Sequence, residues 1–202
     1  MNVSTTASTP VWRASLMLAL VTLLGFGLLY SLAGAGLGRV LFPYQATGSL
    51  VERGGQVIGS SLVAQPFADN RYFQSRPSAA KYDVMALAGS NQARANPDLR
   101  SRIDDARTAV ATREGVAPDA VPGDLVTQSG GGIDPHLSPA AIQLQVARVA
   151  RVRGLPVGEV ERLVAEHTEA PQFGLLGAPR INVLALNLAL DAQARRAVQR
   201  AQ

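Results

Sequence analysis

Two residues in the sequence DPHLSP have side chains and a spacing suited to acid–base chemistry. Asp134 and His136 lie two positions apart, so the carboxylate could orient the imidazole as a general base. The turn also contains Pro135 and Pro139, which predict a stiff entry into a helix, and a carboxylate there would stabilise the positive end of that helix. We favour this structural interpretation, a loop followed by a helix cap.

The motifs that an autonomous enzyme would need are absent from the sequence. It contains no GxxxxGK[ST] phosphate loop, no GxSxG nucleophile elbow and no HExxH metal motif. The second histidine, His167, lies far from His136 and is better explained as a partner for the negative end of a helix. The absence of cysteine excludes disulfides, thiol catalysis and cysteine-ligated zinc. We therefore expect no catalytic residue, no metal site and no covalently bound cofactor.

Five further polar or flexible residues could bind a nucleotide or a partner. The backbone N–H groups of Ser129, Gly130 and Gly131 could cup an anion. Gln145 and Arg148 lie one helical turn apart and could present a polar pair, although exposed helix polarity is the more common explanation. The full set of candidate nucleotide- or partner-binding residues is Ser129, Gly130, Gly131, Asp134, His136, Gln145 and Arg148.

Three other polar residues flank or interrupt the apolar stretch INVLALNLALD. Arg180, Asn182 and Asn187 need partners there, because an unsatisfied buried polar group costs about 1–3 kcal/mol. We interpret them as structural polar struts, with any functional role second.

The longest apolar stretch lies near the start of the chain and predicts a membrane helix. Residues 14–38 carry no charge and lie between Arg13 and Arg39. A helix of that length spans more than the roughly 30 Å of bilayer hydrocarbon. Residues 33–35 read as a signal-peptidase site, but the apolar run is longer than the usual h-region of about 7–15 residues. A retained anchor is therefore favoured over a cleaved signal.

Small residues recur along this predicted helix at helical spacing. They are Gly27, Ser31 and Ala35 on one stripe and Gly34 and Gly38 on its neighbour. Such a stripe lets another helix approach closely in lipid, but GxxxG alone is a weak signal and small residues are common in membrane helices.

The charges are distributed in a way that argues against nucleic-acid binding. All 15 acidic residues lie at Glu52 or later, where 17 of the 19 basic residues also lie. The part of the chain after the anchor is thus nearly neutral and lacks a predicted basic face. The few flanking arginines do not decide the orientation of the anchor.

Periodicity and capping signals predict a mixed α/β domain, rich in helices and with a small sheet, after the single transmembrane helix. The predicted helices cover residues 97–114, 139–153, 156–167 and 181–191, and the predicted strands cover 56–65 and 125–127. Residues 67–83 are rich in aromatics and predict an ordered loop. The predicted organisation is a disordered tail (1–11), a transmembrane helix (12–38), a juxtamembrane connector (39–55), a soluble domain (56–193) and a polar end (194–202).

Several long motifs resemble one family, the C subunit of the Kdp potassium-transporting P-type ATPase. They are GSSLVAQ and YFQSRPSA within residues 59–79, GSN and NP within 89–97, VPGDLVTQSGGGIDPHLSPAA over 121–141, and HTE followed by PRINVLALNLALD within 167–191. The sequence departs from the expected pattern at residues 92–94 and 129–132. The resemblance covers nearly the whole chain after the tail.

The resemblance implies a non-catalytic subunit of an ATP-driven K⁺ import complex. Such subunits scaffold assembly and act as a catalytic chaperone that raises the ATP affinity of the ATP-hydrolysing subunit, so ATP association is implied by resemblance only. The implied partners are the channel-like K⁺-translocating subunit, the ATP-hydrolysing P-type subunit, a small membrane peptide and the bilayer. The implied location is the inner membrane, single-pass, with a cytoplasmic N-terminus and a periplasmic domain.

Two other function classes stay open at this point. A membrane-anchored periplasmic enzyme would use Asp134 and His136 as its acid–base pair. A solute-binding module would need a deep aromatic-lined cleft, which ten aromatic residues make less attractive.

Overall fold

The computed structural model describes residues 11–200, with side chains described up to residue 195. The chain forms two compact units, Met1–Ser49 and Leu50–Gln202. The predicted disordered tail lies outside the described residues except for Val11, which is already helical.

The first unit is one long helix followed by a short one. Helix α1 (Val11–Val21), a π-helical segment (Thr22–Tyr30) and α2 (Ser31–Leu41) follow one another without a break, and α3 covers Pro43–Ala46. Within residues 11–200, Val11–Leu41 is the one helix long and apolar enough to cross a membrane. Pro43 explains why α2 ends, because its ring cannot continue the preceding helix. The predicted anchor is therefore present as a helix and is slightly longer than expected at both ends.

The second unit contains two small antiparallel sheets. Strands β1 (Leu50–Arg53) and β2 (Gln56–Ser60) form a hairpin. Its turn residues Gly54 and Gly55 both have positive φ, as a tight hairpin turn requires. The second sheet has the order β3-β5-β4, with β3 at His136–Leu137, β4 at Thr168–Glu169 and β5 at Arg180–Asn182.

Four helices complete the second unit: α4 (Pro97–Glu114), α5 (Pro139–Arg153), α6 (Val157–Glu166) and α7 (Val183–Arg200). The predicted caps are present, since Asn96 accepts from the N–H of Asp98 at 2.9 Å and Ser138 accepts from that of Ala141 at 3.2 Å. Helix α4 ends at Gly115 with a left-handed φ of 71°. The prediction of a helix-rich α/β unit is confirmed.

One predicted element was wrong, and two others have different bounds. Residues 125–127 are not a strand, because Gly123–Leu125 forms a 3₁₀ turn and the hydroxyl of Thr127 donates to the carbonyl of Gly123 at 2.7 Å. Ile181 belongs to strand β5 rather than to a helix, since it pairs with both β3 and β4. Helix α7 begins two residues later than predicted and continues beyond Asp191. Strand β2 also ends at Ser60, five residues before the predicted end.

The core lies between α5, α6 and α7 and the central strand β5. Its fully buried side chains include Ile142 and Val149 from α5, Val160 from α6 and Leu186 from α7. Phe73 is also fully buried, although it lies in the segment 67–83, which has no helix or strand. That segment is an ordered loop, as predicted, and side-chain hydrogen bonds hold it.

Candidate functional site

Gln145 and Arg148 lie inside the second unit, on the buried face of α5. They are 0% and 3% exposed, so the expectation that they form exposed helix polarity is wrong. The amide of Gln145 accepts from the N–H of Gln74 at 2.8 Å and donates to the carbonyl of the same residue at 3.2 Å. Gln145 thereby pairs with an irregular segment as a neighbouring strand would, and its amide group is occupied within the chain.

All three guanidinium nitrogens of Arg148 donate to groups of this chain. Nε donates to both carboxylate oxygens of Glu114, at 3.1 and 2.9 Å. Nη1 donates to the carbonyls of Asn70 and Tyr72, and Nη2 donates to Gln145. The side chain of Glu114 is fully buried, so the pair is a buried ion pair whose hydrogen-bonding capacity is consumed internally.

Asn187, on α7, binds the same irregular segment. Its Oδ1 accepts from the N–H of Phe73 at 2.9 Å, and its Nδ2 donates to the carbonyl of Phe73 at 2.9 Å. Asn182 donates to the carbonyl of Ser61 at 2.8 Å and accepts from the N–H of Ala185, which caps α7. Both asparagines thus make internal hydrogen bonds to backbone groups. Arg180 differs from a buried strut, because it is exposed and pairs with Glu169 at 2.9 Å.

Asp134, in the turn before β3, contacts His136, the first residue of that strand. Oδ1 of Asp134 lies 3.2 Å from Nδ1 of His136 and accepts from the backbone N–H of His136 at 3.0 Å. Oδ2 accepts from Arg76 at 3.1 Å. The hydrogen bonds from His136 and from Arg76 outweigh partial burial and lower the pKa of Asp134 to about 2. Asp134 is therefore ionised at neutral pH and fixed by two partners.

A catalytic triad would need a nucleophilic side chain beside the Asp134–His136 pair, and the described hydrogen bonds place none there. Arg76 occupies the far side of the carboxylate and also donates to Thr127, so its role is to tie two loops together. Among the described hydrogen bonds, the His136 ring contacts only the Asp134 carboxylate. No described hydrogen bond connects the ring to a serine or threonine hydroxyl. The geometry supports a structural clamp and supplies no nucleophile.

The run from Ser129 to Gly132 is a turn with buried ends, Ser129 and Gly132, and two exposed glycines, Gly130 and Gly131, between them. The hydroxyl of Ser129 accepts from the N–H of Asp134 at 3.4 Å, and the N–H of Gly132 donates to the carbonyl of Ser129 at 3.2 Å. A Cβ at Gly132 would lie 2.6 Å from the carbonyl oxygen of Ala88, and φ there is +76°. Close backbone packing therefore requires glycine at position 132.

The structure brings together some of the predicted site residues and separates others. Ser129 and His136 both contact Asp134, whereas Gln145 and Arg148 bind the segment 70–74. The seven candidate residues therefore do not form one cluster, and the two with the best donors, Gln145 and Arg148, are buried and already bonded within the chain.

Sequence reasoning missed a charged cluster around Asp191. Its carboxylate accepts from Arg53 at 3.3 Å, from the hydroxyl of Tyr72 at 3.2 Å and from Arg153 at 3.0 Å. The guanidinium of Arg153 also lies 4.9 Å from the centre of the Tyr72 ring. Burial raises the pKa of Asp191, but the bonds from Arg153 and Arg53 outweigh it and the pKa is lowered. An adjoining cleft of about 220 Å³ is smaller than the roughly 300–1,000 Å³ of typical ligand pockets.

The first unit carries a shallow groove along α2. Gly34, Ala35, Gly36 and Gly38 line it. A Cβ at Gly34 or Gly38 would meet no heavy atom within 4 Å, so these glycines are not required by contacts within this chain. The groove contains three of the five residues predicted for helix packing, while Gly27 lies in the π-helical segment and Ser31 begins α2.

These features define a class: a protein with an N-terminal helix long and apolar enough to cross a membrane, followed by a helix-rich α/β unit whose buried polar side chains bond to groups of the same chain. Across residues 11–200, no group of three or more histidine, cysteine, aspartate or glutamate side chains could hold a metal ion.

Comparisons with known proteins identify the family. The family model described as "KdpC: K+-transporting ATPase, c chain" matches residues 12–192. The potassium-transporting ATPase KdpC subunit of Xanthomonas oryzae is 65% identical over 179 residues, which cover 89% of this chain and 86% of the relative. That of Methylococcus capsulatus is 50% identical over 184 residues, 90% of this chain and 97% of the relative. The chain therefore belongs to the KdpC family, whose members are accessory rather than catalytic subunits of the K⁺-transporting ATPase.

Proposed function

We propose that this chain stabilises the assembly of the K⁺ import complex and that its second unit covers the K⁺ entrance of the channel-like subunit. The observation that carries the proposal is the family match, which includes both the candidate span and nearly all of the second unit. K⁺ is the transported ion of the complex. The internally bonded polar residues favour a rigid scaffold, because few of the buried polar groups are left to bind a small molecule.

The proposed partners are the channel-like K⁺-translocating subunit, the ATP-hydrolysing P-type subunit and the small membrane peptide of the same complex. In this arrangement the chain crosses the inner membrane once, with its N-terminus in the cytoplasm and its second unit in the periplasm. The small-residue groove along α2 supports close packing against a membrane helix of a larger subunit.

Any effect of this chain on ATP affinity is indirect in our proposal. A periplasmic unit cannot contact ATP in the cytosol, and Gln145 and Arg148 donate to this chain's own groups. A catalytic-chaperone effect would therefore be transmitted through assembly and through the membrane helix. ATP binding by Ser129, Gly130 or Gly131 stays a prediction.

The test deletes residues 50–202 and retains residues 1–49, because the division between the two units falls there. The complex is then purified through a tag on the ATP-hydrolysing subunit, and its ATPase activity is titrated with K⁺. We expect less of this chain in the complex and a higher K⁺ concentration at half-maximal activity.

A second variant separates the two units' roles by replacing residues 11–41 with an unrelated transmembrane helix. This variant should retain K⁺ affinity when it is incorporated but should be incorporated less. Unchanged assembly and unchanged K⁺ affinity in the 50–202 deletion would contradict the proposal.

A further inference from the structure

The hairpin of β1 and β2 packs against the second unit without entering its core. Every residue of the two strands is exposed or half-buried, and among the described core residues none lies between residues 50 and 60. Burial of apolar area supplies most of the attraction between packed elements, so this hairpin is weakly held for its size. We call residues 50–60 the strap.

The strap has a base and a tip. Leu50 pairs with Ser60 at the base, and Arg53 pairs with Gln56 at the tip, next to the turn that begins at Gly54. The base carries both chain connections of the strap, one to the preceding unit and one to the following loop. The tip is therefore attached to the rest of the second unit by side-chain contacts alone.

The base is fixed to the second unit. Directly after the strap, the side-chain amide of Asn182 donates to the carbonyl of Ser61 at 2.8 Å. A Cβ at Gly59 would lie 3.0 Å from the Leu184 side chain, so the backbone of the strap lies against α7 at this end. These contacts define a pivot at the base.

Between its base and its tip, the strap lies beside the cleft of about 220 Å³. The lining of this cleft includes Arg53 and Ile58 from the strap, and Leu184 and Leu188 from α7. Side chains that face an unfilled space lose the dispersion contacts of close packing. The middle of the strap therefore adds little to its attachment, and the hold at the tip depends on the ion pair of Arg53.

Arg53 joins the tip to α7 by a bond that can break at little cost. Its Nη1 lies 3.3 Å from Oδ2 of Asp191, and the two side chains are 37% and 21% exposed. Partly exposed pairs of this kind change an equilibrium constant by roughly twofold to fivefold. Asp191 also accepts from Arg153 at 3.0 Å and from Tyr72 at 3.2 Å. When Arg53 leaves, the carboxylate keeps two donors and the guanidinium enters water, so no buried charge is left unpaired.

We infer that the strap swings away from α7 as one piece, pivoting at Ser61 with the Arg53–Asp191 pair as its latch, while the helices of the second unit stay folded. Segments of low local stability open in this way without global unfolding. The strap is also the first element after Ser49, where the chain divides into its two units. A displacement of the chain at that point is therefore taken up by the strap before it reaches the helices. This opening belongs to the chain itself and does not depend on the proposed role of the second unit in the complex.

The test is hydrogen exchange of the full chain in detergent, measured by mass spectrometry. Peptides within residues 50–60 are compared with peptides within residues 142–150 of α5, which lie in the core. Arg53→Gln removes the charge at the latch and keeps a polar side chain. Arg162→Gln is the matched control, because the pair of Arg162 with Glu166 is exposed and lies on α6.

We expect the slowest strap amides to exchange at least about tenfold faster than those of α5, because local opening needs less free energy than global unfolding. Arg53→Gln should accelerate exchange across the whole strap by about twofold to fivefold and leave α5 unchanged. Arg162→Gln should accelerate neither. Since the chain contains no cysteine, Ile58→Cys in the cleft lining adds a second readout. A thiol reagent should label it faster when Arg53→Gln is also present.

Strap exchange at the α5 rate would overturn the inference, because the strap would then be a rigid brace that unfolds only with the helices. Equal acceleration of α5 in Arg53→Gln would overturn it too, since Arg53 would then support the whole unit. Unchanged strap exchange, unchanged thiol labelling, or the same acceleration with Arg162→Gln would each remove the latch. Acceleration confined to residues 53–56 would show fraying of the tip rather than opening of the strap as one piece.

Discussion

Replacing Arg148 with methionine is expected to destabilise the second unit strongly. The substitution keeps a long apolar stem but removes the charge that faces Glu114, whose side chain is fully buried. It also removes the donors to the carbonyls of Asn70 and Tyr72. The buried Glu114 carboxylate would therefore keep only its bond from Arg113, beside two carbonyls that have lost their partner.

Removal of one partner of a buried ion pair typically costs about 3–5 kcal/mol. That is a large fraction of the roughly 5–15 kcal/mol by which domains are stable. For a unit of this size, about 1 kcal/mol corresponds to a shift of about 2–4 °C in Tm, so Tm should fall by about 6–20 °C. Arg113 lies 2.7 Å from Glu114 and remains in the variant, which favours the lower part of this range.

The measurement is thermal unfolding of the full chain in detergent, followed by circular dichroism. Arg107→Met, on α4 with Glu114, is the matched control, because the pair of Arg107 with Asp104 is exposed and should contribute about 0–1 kcal/mol. The double variant Glu114→Met/Arg148→Met should be more stable than Arg148→Met alone, since both charges are then removed. The reasoning is refuted if Arg148→Met costs no more than Arg107→Met, or if the second substitution restores nothing.

Three further perturbations test other parts of the structure. The pKa of Asp134 is lowered from 3.8 to about 2, so its ionised form stabilises the fold above about pH 4, and this contribution is lost as the pH falls towards 2. Asp134→Asn should therefore make the free energy of unfolding less dependent on pH between about 4 and 2. An unchanged pH dependence in that window would contradict this prediction. Asn187→Leu leaves the backbone groups of Phe73 unpaired, so urea unfolding should show a loss of about 1–3 kcal/mol and hydrogen exchange at that amide should accelerate. An unchanged exchange rate would remove the strut role. A Cβ at Gly34 would meet no atom of its own chain, so Gly34→Leu should leave helicity unchanged while less of the complex is recovered. Gly25→Leu, which lies outside the small-residue stripes, is the control. Equal recovery of the two variants would exclude close packing at Gly34.

Sequence rules predicted the elements whose signals are local. Asn96 and Ser138 cap α4 and α5 because their side chains reach N–H groups two and three residues ahead. The uncharged stretch between Arg13 and Arg39 predicted the membrane helix in the same way, since length and hydropathy suffice for it. The failed strand at residues 125–127 shows the limit of such rules. Its β-branched residues found no partner strand, and a turn from Gly123 formed instead.

The buried polar network could not be predicted because its partners are remote in sequence. Gln145 bonds Gln74 across 71 residues, and Arg148 bonds Asn70 across 78. A weak signal did exist, since Gln145 and Arg148 are three residues apart and lie beside Ile142 and Val149 on one side of the helix. The general rule that charged side chains are exposed argued against burying Arg148, so this signal was not used. The strand at Ile181 was missed for a related reason, because pairing with two other strands overrode a helical pattern.

The clamps on the segment 67–83 also determine when this protein can finish folding. Phe73 must wait for Asn187, which is 114 residues later in the chain, and Tyr72 must wait for Asp191, 119 residues later. Contacts of such long sequence separation slow folding. At roughly 5–20 residues per second, synthesis of the missing stretch alone takes about 6–23 s. During that interval the aromatic segment has none of its α7 partners and is accessible to chaperones and proteases. The segment can adopt its final structure only after α7 has been made.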